Sequence, residues 1–200
     1  MKLMQEFVKA ELAPFFKSLG FKKKGLMWNR SVSGKVEVLG LQVATYSKEG
    51  MEEYFTINMG IFEEELWRVC WDKEVPKFPR TEECFPRVRV GQLLLENGHS
   101  SKDKWWECAA CTVNSVLGKD VRGVVSEFCL PFFTDMAEFG SVRELYNGLS
   151  GKIDPVDKVY LAIKCHWAGD ENASEELLKE VSSLSEGWKN RVEVVRLKLR

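Results

Sequence analysis

The apolar positions along the chain follow two periods. Over residues 3 to 19, Leu3, Phe7, Leu12, Phe15, Phe16 and Leu19 recur at roughly helical spacing and Gly20 ends the run, which predicts an N-terminal helix. Strand composition follows in "GLMWNRSVSGKVEVLGLQVATYS", with Ser33-Gly34 as the turn between two runs. Lys48 to Gly50 then separates these from "EEYFTINMGIF", completing a three-stranded meander. A proline-bearing loop (Pro76, Pro79, Pro86) leads to "FPRVRVGQLLLE", whose alternation predicts a fourth strand. After Gly98 the pattern is helical again: "KWWECAACTVNSVL", capped by Ser100, Ser101 or Asp103, then "KDVRGVVSEFCLPFF" and "SVRELYNGL". Beyond Gly151, Val156, Val159, Tyr160, Ile163 and Trp167 share one helical face. Leu177, Val181, Leu184, Trp188, Val192 and Val195 share another, on a last helix interrupted by Gly187. The expected fold class is α+β: a single antiparallel sheet of about four strands, with an N-terminal helix and several C-terminal helices on one face. A soft boundary near Ser150 divides an α+β domain (1–150) from a helical pair (151–200) expected to pack on it.

Alternation along strands sorts the sheet residues into two faces. One set, Met27, Leu39, Leu41, Val43, Phe55, Ile57, Met59, Ile61, Val88 and Val90, is almost purely apolar and requires a helical cover. The other holds Trp28, Arg30, Val38, Gln42, Tyr46, Tyr54, Thr56, Asn58, Phe62, Phe85, Arg87 and Arg89. Aromatic rings offer stacking area, and guanidinium and amide groups offer directional hydrogen bonds. Candidate ligand-binding residues are therefore Trp28, Arg30, Gln42, Tyr46, Tyr54, Asn58, Arg87 and Arg89. The plainer reading is a face left to water, as antiparallel sheets often have. Against it stand five large rings in the set, more than a wet face ordinarily carries.

Charge and composition narrow the classes of function. With 29 Lys plus Arg against 30 Asp plus Glu, the net charge is −1, so no overall field draws in a polyanion and nucleic acid is not the expected partner. Charged residues within the first sixteen positions break any secretion signal, and no apolar run is long enough to span a bilayer, so a cytoplasmic protein with no membrane partner is expected. The six cysteines then read as reduced thiols, mostly among apolar neighbours. Cys108 and Cys111 have CxxC spacing and, with Cys165 and His166, give a conceivable zinc set. A single CxxC inside an expected helix is better explained as core, so no metal and no cofactor are expected. His99 and His166 lie in no nucleophile motif, and phosphate-cradling glycine loops are absent from the sequence. The run Glu63 to Glu65 reads as a helix start and Lys22 to Lys24 as a solvated loop between helix and strand. Of Trp105 and Trp106, one is expected to anchor the core and at most one to face a site.

The segments "LGFKKKGLMWNR", "LGLQVATYS", "YFTINMGIF", "KDKWWE" and "LPFFTDM", in this order over about residues 3 to 150, resemble the family called domain of unknown function 4304. The resemblance implies an α+β domain, mostly bacterial, with no assigned activity. It carries Trp28, Gln42, Thr56, Asn58, Gly60, Trp105 and Trp106 over as family-typical residues without a catalytic role. Residues 151 to 200 fall outside it. Two functional expectations follow. The favoured one is a non-catalytic binding module, monomeric or homodimeric, that uses the open sheet face for a protein or peptide partner. The alternative is an enzyme acting on a small anionic substrate in the same groove. The first is preferred because no base, nucleophile or metal set stands at a usable spacing.

Overall fold

A computed structural model describes residues 3–99, 103–109, 112, 114–148 and 153–200. The chain begins with α1 (Leu3–Phe7), a π-helical segment (Val8–Leu12) and α2 (Ala13–Ser18), which run on without a break as the helical spacing predicts. There follow β1 (Lys22–Lys24), β2 (Met27–Val32), β3 (Lys35–Val43), β4 (Glu52–Phe62), α3 (Glu64–Cys70), a 3₁₀ turn (Thr81–Glu83), β5 (Arg87–Arg89), α4 (Val90–Glu96) and β6 (Trp106–Ala109). The remainder is helical: α5 (Asn114–Val124), a π-helical segment (Val125–Cys129), α6 (Leu130–Asp135), α7 (Phe139–Gly148), α8 (Pro155–Trp167), α9 (Glu171–Ser182) and α10 (Glu186–Leu199). The architecture is α+β with an antiparallel sheet. Among the described residues no helix is long and apolar enough to cross a membrane.

Two compact units emerge, each assembled from two stretches of chain: residues 1–61 with 78–135, and residues 62–77 with 136–200. The expected boundary near Ser150 lies outside the described residues.

In the first unit the strands run β1-β2-β3-β4-β5, and β6 pairs with β4 as well. β4 carries both β5, opposite residues 58 to 60, and β6, opposite residues 52 to 55. The helical cover lies on the face bearing Trp28, Leu39, Phe55, Ile57 and Met59, all buried. Phe7 packs on Phe55 with ring centroids 5.7 Å apart, Phe16 on Trp28 at 4.7 Å, and Trp106 stacks on Phe55 at 5.5 Å. Rings at these separations add about 1 kcal/mol per pair to area burial. Arg122 donates to Glu11 at 2.5 Å and so ties α5 to the N-terminal helix.

Four expectations are revised. Lys22 to Lys24 form an exposed edge strand paired with Met27 to Asn29 rather than a loop. The strand expected over residues 85–96 stops at Arg89, because the Gln92 side chain accepts from the Arg89 backbone N–H at 3.0 Å, satisfying a donor at the start of α4. "KWWECAACTVNSVL" is not one helix. Trp106 and Cys108 are buried and Glu107 exposed, a period of two that pairs the segment with β4, and helix begins only at Asn114. The C-terminal pair is a set of three, since Ser185 accepts from the Trp188 N–H and starts a new helix with Gly187 in its first turn.

In the second unit α8 packs against α3, α9 and α10. Its residues Val159 to Cys165 are all buried, Lys164 among them, and the Lys164 ammonium meets Glu63 at 2.8 Å. Tyr160 accepts from the Trp71 indole N–H at 2.7 Å, and Arg191 lies over the Trp71 ring.

Candidate functional site

The register decides what faces what. Ser33 and Gly34 both have positive φ (49° and 81°), the conformation of a two-residue hairpin turn that pairs Val32 with Lys35. Across such a turn an even-numbered residue always faces an odd-numbered one. Trp28 therefore pairs with Leu39 and Arg30 with Glu37, on the helix-covered side, while Met27 and Asn29 share the other side with Gly40 and Val38. This removes two of the expected site residues. Trp28 is a core residue against Phe16, and Arg30 lies over Phe21 and forms an ion pair with Glu37 at 2.6 Å. Met27 likewise leaves the apolar set.

The second face of the sheet is partly covered. The stretch from Phe78 to Pro86 crosses it, with the Asn29 carboxamide donating to the Pro79 carbonyl at 3.1 Å and Thr81, Cys84 and Phe85 buried. A Cβ on Gly60 would stand 2.5 Å from the Cβ of Cys84 and 2.8 Å from the Pro86 carbonyl, so this glycine is required by close approach. Val38 and Thr56, expected on a binding face, are fully buried.

What stays accessible is a cleft of about 610 Å³ lined by Gln42, Asn58, Thr81, Arg87, Arg89, Gln92 and Asp103, among others. Arg89 is its hub. Its Nε donates to Asn58 Oδ1 at 3.3 Å, its Nη2 to Gln42 Oε1 at 3.1 Å and its Nη1 to Asp103 Oδ2 at 2.5 Å. Asn58 Nδ2 donates in turn to Gln42 Oε1 at 2.8 Å, which closes a ring of polar contacts across β3, β4 and β5. Arg87 donates to the Glu82 carbonyl at 2.8 Å. Asn58 is thus neither a buried core amide nor an idle surface group: it holds the guanidinium of its cross-strand partner.

Beside the cleft lies an aromatic shelf. Tyr46 is 62% exposed and packs on Tyr54 at 5.4 Å and on Trp105 at 6.3 Å, and the Arg89 guanidinium lies over Trp105 at 5.6 Å. Desolvation, with help from the carboxylates of Glu107 and Glu52, raises the Tyr54 phenol above its ordinary pKa, so it is a neutral donor at physiological pH. Trp106, one residue on, points into the core and donates to Asp120 at 2.6 Å. One tryptophan anchors and the other faces the site, as expected, although strand alternation rather than helical divergence separates them.

Six of the eight expected residues (Gln42, Tyr46, Tyr54, Asn58, Arg87, Arg89) thus stand on this face. The structure adds Trp105, Asp103 and Gln92, which the sequence offers only as a stacking candidate, a helix cap and an unremarked polar residue. Among the described residues no group of three or more His, Cys, Asp and Glu side chains is placed to hold a metal. Cys111 of the CxxC pair lies outside the described residues, and Cys108 is buried in β6, its thiol raised to about 11 by desolvation first and by Glu53 and Glu6 next. His99 packs edge-on against Phe128.

Residues 12–135 match the model of a family described as Domain of unknown function (DUF4304). No curated protein and no solved structure matches the chain.

Proposed function

The chain belongs to the DUF4304 family, a description that carries no activity, and we propose that it is a non-catalytic binding module whose Arg89 cleft and aromatic shelf hold a segment of a partner protein or peptide. The observation that carries this reading is the single surface shared by Arg89, Trp105 and Tyr46. Arg, Trp and Tyr are the residues that dominate binding energy at protein interfaces, where rigid rings supply area and a guanidinium supplies directed donors. The polar contacts from Gln42 and Asn58 fix the guanidinium in place before any partner arrives, which lowers the entropy cost of association. A reducing, cytoplasmic setting suits the buried free cysteines at 70, 84, 108, 129 and 165.

The alternative, an enzyme for a small anionic substrate, draws on Arg87 and Arg89 in the same cleft. Selection of random peptides displayed on phage separates the two. Peptides enriched on the wild-type protein are expected to lose about tenfold or more in affinity for Tyr46→Ala and Trp105→Ala. Absence of enrichment, together with stoichiometric binding of a small anion in calorimetry, would sink the binding-module reading in favour of the enzyme.

A further inference from the structure

Asp103 sits on Arg89 by design of the backbone beneath it. A Cβ on Gly91 would stand 2.3 Å from Asp103 Oδ1 and 2.8 Å from the Lys104 backbone nitrogen, so the segment carrying Asp103 crosses α4 where only glycine leaves room. Nothing in the helix itself asks for glycine there, since alanine is the better helix former. The next residues hold the crossing down: Trp106 is buried and bonded to Asp120, and Lys104 pairs with the same carboxylate at 3.4 Å. The result is a carboxylate presented to a guanidinium that lines an open cleft, with both side chains about one-third exposed.

Resting on the reading of this cleft as a peptide site, we infer that it recognises an acidic side chain, Asp or Glu, of the partner segment, and that Asp103 is the chain's own competitor for that position. Three of the five N–H donors of Arg89 are engaged by Asn58, Gln42 and Asp103, and the pair to Asp103 is the one made with a charged group from outside the sheet. An incoming carboxylate takes up the remaining donors and then replaces Asp103, while Asn58 and Gln42 keep the guanidinium oriented. A side chain, rather than a chain terminus, is favoured because the seated carboxylate is itself a side chain on a segment outside helix and strand, with an aromatic ring two positions later under the same guanidinium. Competition of this kind holds affinity down and selects for partners that also engage the aromatic shelf.

The test uses the whole protein and N-acetyl-aspartate N-methylamide as probe, followed by NMR of the Arg89 side-chain Nε–H. The expected result is saturable perturbation in the wild type. Binding should be tighter by about fivefold to tenfold in Asp103→Asn, and similarly in Gly91→Ala, which pushes Asp103 off the arginine without removing either partner. Arg89→Gln, followed through the Asn58 carboxamide, should show no binding. The inference is overturned if Asp103→Asn binds no more tightly than wild type, or if the N-acetyl-asparagine analogue shifts Arg89 equally. A stronger response to N-acetyl-alanine, whose only carboxylate is terminal, would overturn the side-chain assignment. Selected peptides that bind through Tyr46 and Trp105 but carry no acidic residue would defeat this inference and leave the binding-module reading standing.

Discussion

Asn58 and Trp28 are both strand residues of one sheet, and their expected mutational costs differ because their surroundings do. Asn58 donates to Gln42 and accepts from Arg89 at the rim of an open cleft, where water replaces lost partners. Asn58→Ala should therefore move stability by only about 0.5 kcal/mol while loosening Arg89. Trp28 is 1% exposed and packs on Phe16, so Trp28→Ala should cost about 3–5 kcal/mol. Denaturant unfolding of the two variants checks both numbers, and equal losses would show that Asn58 is a structural group after all. The contrast is half legible in the sequence: alternation along each strand is visible, but the phase between β2 and β3 depends on the register that the turn imposes. Val32 pairing with Lys35 across Ser33-Gly34 inverts odd and even, which exchanges Trp28 and Arg30 with Met27 and Asn29.

At the level of elements, local chemistry at the ends explains where helices begin. Asp170 follows Gly169, whose φ is positive, and its carboxylate accepts from the Ala173 N–H at 3.1 Å at the start of α9. That backbone bond first, and Arg143 at 2.8 Å next, lower the Asp170 pKa below the ordinary carboxyl value of 3.8. A depressed folded-state pKa gives stability that is complete above the unfolded value and is lost as pH falls through the folded one. Thermal stability should thus fall below about pH 4, and Asp170→Asn, which keeps an acceptor but not the charge, should begin lower at neutral pH and flatten across that window. Melting curves that stay parallel from neutral to acid pH would count against this role. Helix starts of this kind are readable in sequence, and Ser185 in "SLSEGW", capping α10, is another. β6 is not legible locally, because a run of Trp, Cys and Ala at 105–110 suits a buried strand and a buried helix alike, and the pairing with β4 decides between them.

For the whole molecule, thiol chemistry reports how completely the core closes. Cys70, Cys84, Cys108, Cys129 and Cys165 are buried, and desolvation raises the Cys70 thiol to about 12, Arg191 and Lys198 opposing it. Peptide mapping after treatment with iodoacetamide near pH 8 should find these five positions unlabelled in the native protein and labelled in guanidinium. Rapid native labelling at Cys70 would show that the α3 region of the second unit opens readily. The sequence by itself determined the α+β class, the N-terminal helix, the antiparallel meander and most residues of each sheet face, because amphipathic period and turn residues are local properties. Only the tertiary structure decided which residues meet. Residues 78–86 cover part of the face that alternation leaves open, and the crossing over Gly91 brings Asp103 and Trp105 back past α4 to Arg89 at the end of β5. Such juxtapositions follow from close packing between distant segments, and no periodicity within one segment encodes them.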